Sequence, residues 1–317
     1  MTWPPAVLEH APRIGLGLAA LGRPAYITSE RSSELGNDRS PQAMRDRTEE
    51  ILDAAYQAGV RYIDVARSYG RAESFLAGWL AARHLGPDDI AVGSKWGYTY
   101  VGDWRMDAER QEIQDLSIDT LNRQLPESLG ILGANLRLYQ IHSASLENGV
   151  LSSHAVLDAL KRLRDRPMAI GVTVTGPDQA QTIDRAVELG MFDTVQATWN
   201  LLEPSSGEAL ARAHEAGLTV IVKEAVANGR LTDAGDQPAL VKAAAARGLT
   251  ADTLAISAVL AQPWAGIVLS GAVTVETLHS NLAASADRWD AELAALEAEL
   301  VLPAQVYWQE RSQRPWT

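Results

Sequence analysis

Residues 61–73 read RYIDVARSYGRAE, and this stretch gives the strongest indication of the fold. Tyr62 to Asp64 have the character of a short apolar strand that ends in an acid, and a turn containing Tyr69 and Gly70 follows. The helix that comes next opens with Glu73. An ionisable residue at the C-terminal end of a strand, with a phenol on the loop after it, is typical of the catalytic face of an α/β barrel.

A helix, a glycine and a short apolar strand follow one another repeatedly along the chain. The helix before residue 62 is predicted to begin near Ser40, with Pro41 in its first turn, and to stop at Gly59. Gly190 and Gly217 occupy the same place before two later strands. The eight strands predicted in this way lie at residues 11–19, 62–64, 90–94, 136–141, 169–172, 194–196, 219–222 and 266–269.

Short, nearly continuous apolar strands that alternate with helices predict a parallel sheet covered by helices. Eight such repeats in 317 residues match the size of a (β/α)8 TIM barrel, whose active site lies at the C-terminal ends of the strands. A doubly wound open sheet is the alternative. No linker divides the sequence, so we predict one barrel domain over residues 1–317, with a polar loop at 29–43 and a C-terminal tail at 285–317 as additions.

Composition and charge exclude several classes of function. The formal net charge is −12, from 28 basic and 40 acidic residues, and such a surface repels nucleic acid and anionic lipid. The chain contains no cysteine, which excludes disulfides, thiolate metal sites and cysteine nucleophiles. No stretch approaches the ~18 apolar residues of a membrane span, and the N-terminus lacks the pattern of a signal peptide. We therefore expect a cytoplasmic protein whose partner is a small molecule.

Four polar residues are predicted to meet at one rim of the barrel. Asp64, Lys95 and His142 end the second, third and fourth strands, and Tyr69 lies on the loop after the second. Each residue alone has an ordinary structural explanation, as a cap, a surface charge or a buried polar group. Their joint occurrence at consecutive strand ends instead indicates a catalytic site.

These side chains are suited to the interconversion of a carbonyl and an alcohol. An ammonium beside a phenol is expected to lower its pKa, and a carboxylate beside the lysine holds that ammonium in place. Tyr69 could then donate a proton to a developing alkoxide, while His142 directs the same oxygen with a hydrogen bond. No residue pattern suggests a metal site. Because no side chain supplies a hydride, a nicotinamide cofactor is required.

These residues belong to an ordered series of motifs that resembles the aldo-keto reductase family. The series runs from about residue 13 to residue 284 and comprises GLGL at 15–18, IDVA at 63–66 with Tyr69-Gly70 and Glu73, Ser94-Lys95, QIH at 140–142, GVT at 171–173, Val195-Gln196 with Asn200, and Gly271-Ala272 with Asn281. The resemblance implies an NAD(P)H-dependent reductase of aldehydes or ketones.

The resemblance also implies roles for particular residues. Asp64, Tyr69, Lys95 and His142 match the family's catalytic tetrad, with Tyr69 as the proton donor. Gln196 would hold the nicotinamide carboxamide, and the helix after Gly271 would receive the adenosine phosphate end. The full set expected to contact the cofactor is Thr173, Gln196, Lys223, Arg230, Ser270, Gly271, Ala272, Thr274 and Asn281.

The sequence departs from the family pattern around the expected cofactor. Thr173-Val174 replaces the usual Ser-Asn, and VKEA at 222–225 has no aromatic to stack on the nicotinamide. Lys223 is expected either to contact phosphate or to pair with Glu224. SGAVT at 270–274 lacks the cation with which NADP-dependent members bind the 2′-phosphate. The family tendency still favours NADP, with NAD as the alternative.

Aromatic residues are concentrated directly after Lys95, in WGYTYVGDW at 96–104. This concentration predicts a substrate pocket wall that includes Trp96, Tyr98 and Trp104, with Trp199 at the same rim. Tyr307, Trp308 and Trp316 of the tail are expected to fold over the mouth.

Three other functions remain open on the sequence alone. Oxidation of an aldose or another alcohol by the same site is the enzymatic alternative. A cofactor-binding, redox-sensing accessory subunit with little turnover is the alternative of another class. A barrel hydrolase is the least favoured, since the chain lacks the paired carboxylates or metal ligands that it requires.

Overall fold

In the computed structural model, which describes residues 3–27 and 34–316, eight parallel strands close into a barrel. Part of the polar loop expected at 29–43 lies outside the described residues. The strands are Ile14–Gly17 (β1), Tyr62–Asp64 (β2), Ala91–Trp96 (β3), Tyr98–Tyr100 (β4), Glu112–Gln114 (β5), Leu136–Ala144 (β6), Ala169–Val174 (β7), Thr194–Thr198 (β8), Thr219–Lys223 (β9) and Ala265–Ser270 (β10).

The barrel follows the chain order of its strands and closes where β1 pairs with β10. Ile14 stands opposite Val268 in that closing pair. The closure confirms the predicted (β/α)8 barrel and excludes the doubly wound open sheet, whose two edges would remain unpaired. β4 and β5 form a separate antiparallel hairpin after β3. The sequence did not predict this hairpin, whose residues Tyr98 and Glu112 line the same cleft as Asp64 at the end of β2.

Helices follow the strands and surround the barrel. They are Pro41–Gln57 (α1), Ala72–Ala82 (α2), Ile118–Leu132 (α3), His154–Arg162 (α4), Gln179–Leu189 (α5), Gly207–Glu215 (α6), Pro238–Ala245 (α7), Ala251–Leu260 (α8), Val275–Leu282 (α9), Ala291–Leu300 (α10) and Ala304–Ser312 (α11). α1 begins at Pro41, next to the predicted start near Ser40, and the Ser40 hydroxyl caps it by accepting a hydrogen bond from the Ala43 N–H. None of the described helices has the length and apolar character needed to cross a membrane.

The C-terminal helix α11 lies over the loops that follow β8 and β9. The phenol of Tyr307 accepts a hydrogen bond of 3.1 Å from Asn200, and the indole of Trp308 donates one of 3.3 Å to Glu203. The guanidinium of Arg311 pairs with the buried carboxylate of Glu224, with an Nε to Oε2 distance of 2.8 Å. The tail is therefore attached to the mouth of the barrel by several polar contacts.

Two glycines set the position of the turn that carries Tyr69. The Gly22 carbonyl accepts a hydrogen bond of 2.7 Å from the Arg71 N–H. A Cβ on Gly22 would lie 2.2 Å from the Tyr69 carbonyl oxygen, and one on Gly70 would lie 2.4 Å from the Gly22 oxygen. Gly70 also has a φ of +56°, a conformation that disfavours side chains. The close approach of these two backbones therefore requires glycine on both sides.

We expect Gly22→Ala to lower the free energy of unfolding by about 1–3 kcal/mol, because the added methyl group forces the two loops apart. The same displacement should reduce activity, since the turn carries Tyr69. Gly78→Ala is the matched control. Gly78 is exposed within α2, where a Cβ meets nothing within 4 Å, so this change should stabilise the protein by about 0.5–1 kcal/mol. Denaturant unfolding of both variants tests the expectation, and equal stabilities would contradict it.

Candidate active site

A buried ion pair between Lys95 and Asp64 forms the centre of the site. The ammonium of Lys95 binds Asp64 Oδ1, and it also donates to the Val65 carbonyl at 3.0 Å and to the Tyr69 phenol at 3.3 Å. Both members of the pair are nearly inaccessible to solvent. The strand ends predicted to meet are therefore adjacent in space.

The second oxygen of the Asp64 carboxylate is also fully engaged. Asp64 Oδ2 accepts hydrogen bonds from Tyr62 at 3.1 Å, from Gln196 at 3.0 Å and from Gln140 at 3.3 Å. These three donors come from β2, β8 and β6, so the carboxylate is held from opposite sides of the barrel. A charge buried among apolar side chains requires hydrogen bonds of this kind in place of its lost hydration.

His142 stands beside Tyr69, and their ring centres are 5.5 Å apart in an edge-to-face arrangement. Burial, reinforced by the positive charges of Lys95 and Arg23, holds the pKa of His142 well below its usual 6.5. The ring is therefore neutral near pH 7 and carries one N–H. Nδ1 is buried and has no hydrogen-bond partner among the described residues. The proton is thus better placed on Nε2, because an Nδ1–H would remain unsatisfied.

The acidity of Tyr69 differs from the expectation drawn from the sequence. Burial raises the pKa of the phenol well above 10, and the Asp64 carboxylate acts in the same direction, while Arg23 opposes them. Lys95 was expected to lower the pKa of Tyr69. Its ammonium is itself paired with Asp64, so it does not offset the effect of burial. The phenol is consequently protonated at neutral pH.

Glu73 supports the site from behind the barrel wall. Its carboxylate accepts hydrogen bonds of 2.7 Å from Ser94 on β3 and of 2.7 Å from Ser128 on α3. Arg67 adds an ion pair at 2.9 Å. Glu73 is buried, so its role is to join β3 to the surrounding helices beside Lys95.

A cleft opens from Asp64, Tyr69 and His142 toward the start of α9. Five residues predicted to contact the cofactor line this cleft: Thr173, Gln196, Lys223, Ser270 and Gly271. Thr274 caps α9 by accepting a hydrogen bond of 3.1 Å from the Thr277 N–H. Ala272 is buried beside these residues, and Asn281 accepts a hydrogen bond of 2.7 Å from Ser270. The backbone that precedes α9 thus forms the far end of the cleft.

The aldo/keto reductase family model matches residues 13–298. The chain belongs to the aldo/keto reductase family. The eight-stranded barrel with its polar strand ends agrees with this assignment. No protein with a curated description matches the chain.

Solved structures of other aldo-keto reductases share the fold at low sequence identity. One from Bacillus halodurans is 19% identical with a TM-score of 0.69, covering 92% of this chain and 93% of that one. The glycerol dehydrogenase of Gluconobacter oxydans is 21% identical with a TM-score of 0.69, covering 92% and 91%. An aldo-keto reductase from Klebsiella pneumoniae in complex with NADPH is 19% identical with a TM-score of 0.65, covering 92% and 91%.

Two cationic residues of this aldo/keto reductase that were predicted to contact the cofactor, Lys223 and Arg230, lie at different distances from the cleft. Lys223 lines it and donates a hydrogen bond of 2.8 Å to Thr198, while the Glu224 carboxylate is 3.8 Å away. Burial lowers the pKa of Lys223 to about 8. Arg230 lies outside the residues that line the cleft, and its guanidinium is engaged by Asp236 and Glu310 at 2.9 Å each. The structure therefore places Arg230 apart from the other residues predicted to contact the cofactor.

Of the four aromatic residues predicted to form a pocket wall, one lines the cleft and three lie elsewhere. Tyr98 lines the cleft, with its ring centre 4.8 Å from that of His142. Trp96 is wholly buried in the hydrophobic core. Trp104 packs on Phe75 and donates to the Arg39 carbonyl, and Trp199 packs on Trp264 at 5.6 Å between ring centres. These three indoles stabilise loops and helices outside the cleft.

Other residues supply the aromatic and charged surface near Tyr69. Tyr26 and Trp316 line the cleft, together with Arg23, Glu112 and Arg311. The sequence pattern did not indicate these residues as contacts, apart from the general expectation that the tail, with Trp316, covers the mouth. The sequence feature that could have indicated Arg23 and Tyr26 is GRPAY at 22–26, where an arginine follows a glycine directly after the first strand.

The depressed pKa of His142 predicts a pH dependence of stability. Below about pH 6.5 the unfolded chain binds a proton that the folded protein excludes, so stability falls as the pH falls. His142→Gln should flatten the profile between about pH 6.5 and 5, by up to about 1.4 kcal/mol per pH unit. His214→Gln, at an exposed position of α6, is the control and should retain the wild-type slope. Denaturant unfolding across this range measures the slopes. An unchanged slope in His142→Gln would refute the expectation.

Proposed function

We propose that this aldo/keto reductase reduces an aldehyde or ketone to an alcohol, with Tyr69 as the proton donor. The observation that carries the proposal is the Tyr69 phenol, 3.3 Å from the Lys95 ammonium and beside a neutral His142 in an open cleft. A carbonyl oxygen placed between Tyr69 and His142 would receive two hydrogen bonds. Both would strengthen as negative charge develops on that oxygen.

The protonated state of Tyr69 supports reduction as the favoured direction. Reduction requires a proton donor in the resting site, and the raised pKa of the phenol supplies one at neutral pH. An alkoxide is a stronger base than a phenolate, so transfer of the proton remains favourable. The Lys95 ammonium then stabilises the phenolate that is left. Oxidation of an alcohol or aldose requires the reverse proton transfer, and this remains the alternative; the Gluconobacter oxydans neighbour is described as a glycerol dehydrogenase.

A nicotinamide cofactor would supply the hydride when bound. The donor set along the cleft suits such a molecule. Gln196 and Thr173 lie at the reacting end, next to the residues proposed for proton transfer. Ser270 and Gly271 lead into α9 at the far end, and a Cβ on Gly271 would meet nothing within 4 Å. Backbone N–H groups at the start of α9 can bind phosphate.

Tyr69→Phe should reduce turnover at least about 100-fold, because the variant keeps the ring and loses the acid. Cofactor binding, followed by fluorescence, should stay near the wild-type value. Tyr56→Phe is the matched control, since Tyr56 packs on Trp79 at α1, away from the cleft. Near wild-type turnover in Tyr69→Phe would exclude the proposed role.

The choice between NADP and NAD has support on both sides. The family tendency favours NADP, and the Klebsiella pneumoniae neighbour is described in complex with NADPH. In this chain the first turn of α9 carries the acid Glu276. A carboxylate there would repel a 2′-phosphate, which favours NAD.

We propose NADP and expect a higher kcat/KM with NADPH than with NADH at equal concentrations. Glu276→Arg should increase that preference, because it replaces a like charge by a partner for the phosphate. Glu299→Arg, in α10, makes the same charge change elsewhere and is the control. A clear preference of the wild-type enzyme for NADH would refute the proposal.

The alternative of another class is a cofactor-binding accessory subunit with little turnover. It would gain support if the protein bound NADPH or NADH and consumed neither with any compound of a broad carbonyl panel. The same panel, run in both directions, separates reduction from alcohol oxidation.

A further inference from the structure

Arg23 is a buried cation at the end of the cleft nearest Tyr69. Only 2% of the residue is exposed, although it lines the cleft. Its guanidinium carbon lies 5.2 Å from the centre of the Tyr69 ring and 4.6 Å from the centre of the Trp316 ring. Tyr26 approaches from another side at 5.5 Å. The guanidinium is thus surrounded by aromatic rings and cannot swing away into solvent.

The hydrogen bonds of Arg23 leave part of its donor capacity unused. Nη1 donates to the Ser68 carbonyl at 3.1 Å and to the Glu112 carboxylate at 2.7 Å. Nε is buried and has no hydrogen-bond partner among the described residues. A buried N–H of a charged group without a partner is costly, so an acceptor is expected to satisfy it in the working enzyme.

The Glu112 carboxylate limits what that acceptor can be. It neutralises Arg23 and is itself only partly exposed, so a second carboxylate or a phosphate at the same place would be repelled. A neutral oxygen would not be repelled. A hydroxyl group fits best, because it accepts from the guanidinium and donates to the carboxylate. The surrounding rings provide apolar contacts for the adjoining C–H groups.

We propose that Arg23 and Glu112 together bind a hydroxyl substituent of the substrate, so that the enzyme selects hydroxylated carbonyl compounds. This inference rests on the proposed function, since it assumes a carbonyl oxygen at Tyr69. The guanidinium carbon of Arg23 lies 5.2 Å from the centre of the Tyr69 ring, so a hydroxyl bound there would lie close to the reacting carbonyl. Trp316 also packs on the guanidinium, at 4.6 Å from its ring centre, which gives the C-terminal tail a part in substrate choice.

Three ketones of three carbons test the proposal on the wild-type enzyme. Acetone lacks the substituent, hydroxyacetone carries the hydroxyl, and pyruvate carries a carboxylate instead. We expect kcat/KM for hydroxyacetone to exceed that for each of the other two by about 10- to 100-fold, the usual effect of a hydrogen bond to a charged group. The difference from acetone should lie mainly in KM. Propanal and lactaldehyde repeat the comparison for aldehydes.

Variants of the pair separate recognition from folding. Arg23→Met should bring hydroxyacetone and acetone to similar kcat/KM values. Glu112→Gln keeps the shape of the side chain and removes its negative charge, so it should raise kcat/KM for pyruvate relative to kcat/KM for hydroxyacetone. Arg185→Met, in an exposed pair with Glu188 on α5, is the matched control and should keep the wild-type ratios. The wild-type ratios and the Glu112→Gln variant still test the proposal if Arg23→Met fails to fold.

Each outcome bears on the proposal in a distinct way. Equal kcat/KM values for acetone and hydroxyacetone in the wild-type enzyme overturn the proposed hydroxyl selectivity and leave the reductase function intact. A preference for pyruvate does the same. Retention of the hydroxyacetone preference in folded Arg23→Met overturns the assignment to Arg23. Absence of turnover with every carbonyl compound and both cofactors refutes the reductase function, and this inference with it.

Discussion

The ion pair between Lys95 and Asp64 is the constraint on which the interior of this barrel depends. Two opposite charges lie almost completely out of water, and the loss of hydration for such a pair exceeds what simple attraction restores. The barrel compensates with further hydrogen bonds to both partners, from Tyr62, Gln140 and Gln196 to the carboxylate and from the ammonium to Val65. These bonds join four strands at one depth. This layer of polar side chains is therefore required by the buried ion pair. It is also where the Tyr69 phenol contacts the Lys95 ammonium.

The charged side chains that line the cleft form ion pairs with one another within the protein. Glu224 illustrates this: burial would raise its pKa, but Arg311 and Lys223 lower it to about 2, so the carboxylate stays ionised. Arg311 comes from α11, which shows that the C-terminal helix supplies part of the active-site electrostatics. Arg23 and Glu112 repeat the arrangement on the other side of Tyr69. Local pairs of this kind keep cationic side chains in the cleft of a protein whose net charge is −12.

Family membership and substrate choice rest on different parts of the molecule. The barrel is shared with the aldo/keto reductases, and the residues at its strand ends account for the class of reaction proposed. The hairpin β4–β5, the segment after β1 and the tail carry Glu112, Arg23 and Trp316. Fold alone does not define substrate, so these additions are where this enzyme's own selectivity should be sought.

The amino-acid sequence by itself determined the barrel, its eight strands and the meeting of Asp64, Tyr69, Lys95 and His142. Parallel strands of one barrel end at one rim, so residues at strand ends are brought together whatever the loops do. Only the tertiary structure decided which aromatic residues face the cleft. A side chain after a strand end can point inward or outward, and Trp96 turned into the core while Trp316, distant in sequence, came to the site. The acidity of Tyr69 was decided in the same way, because burial and the competing Asp64 charge depend on surroundings that spacing along the chain does not reveal.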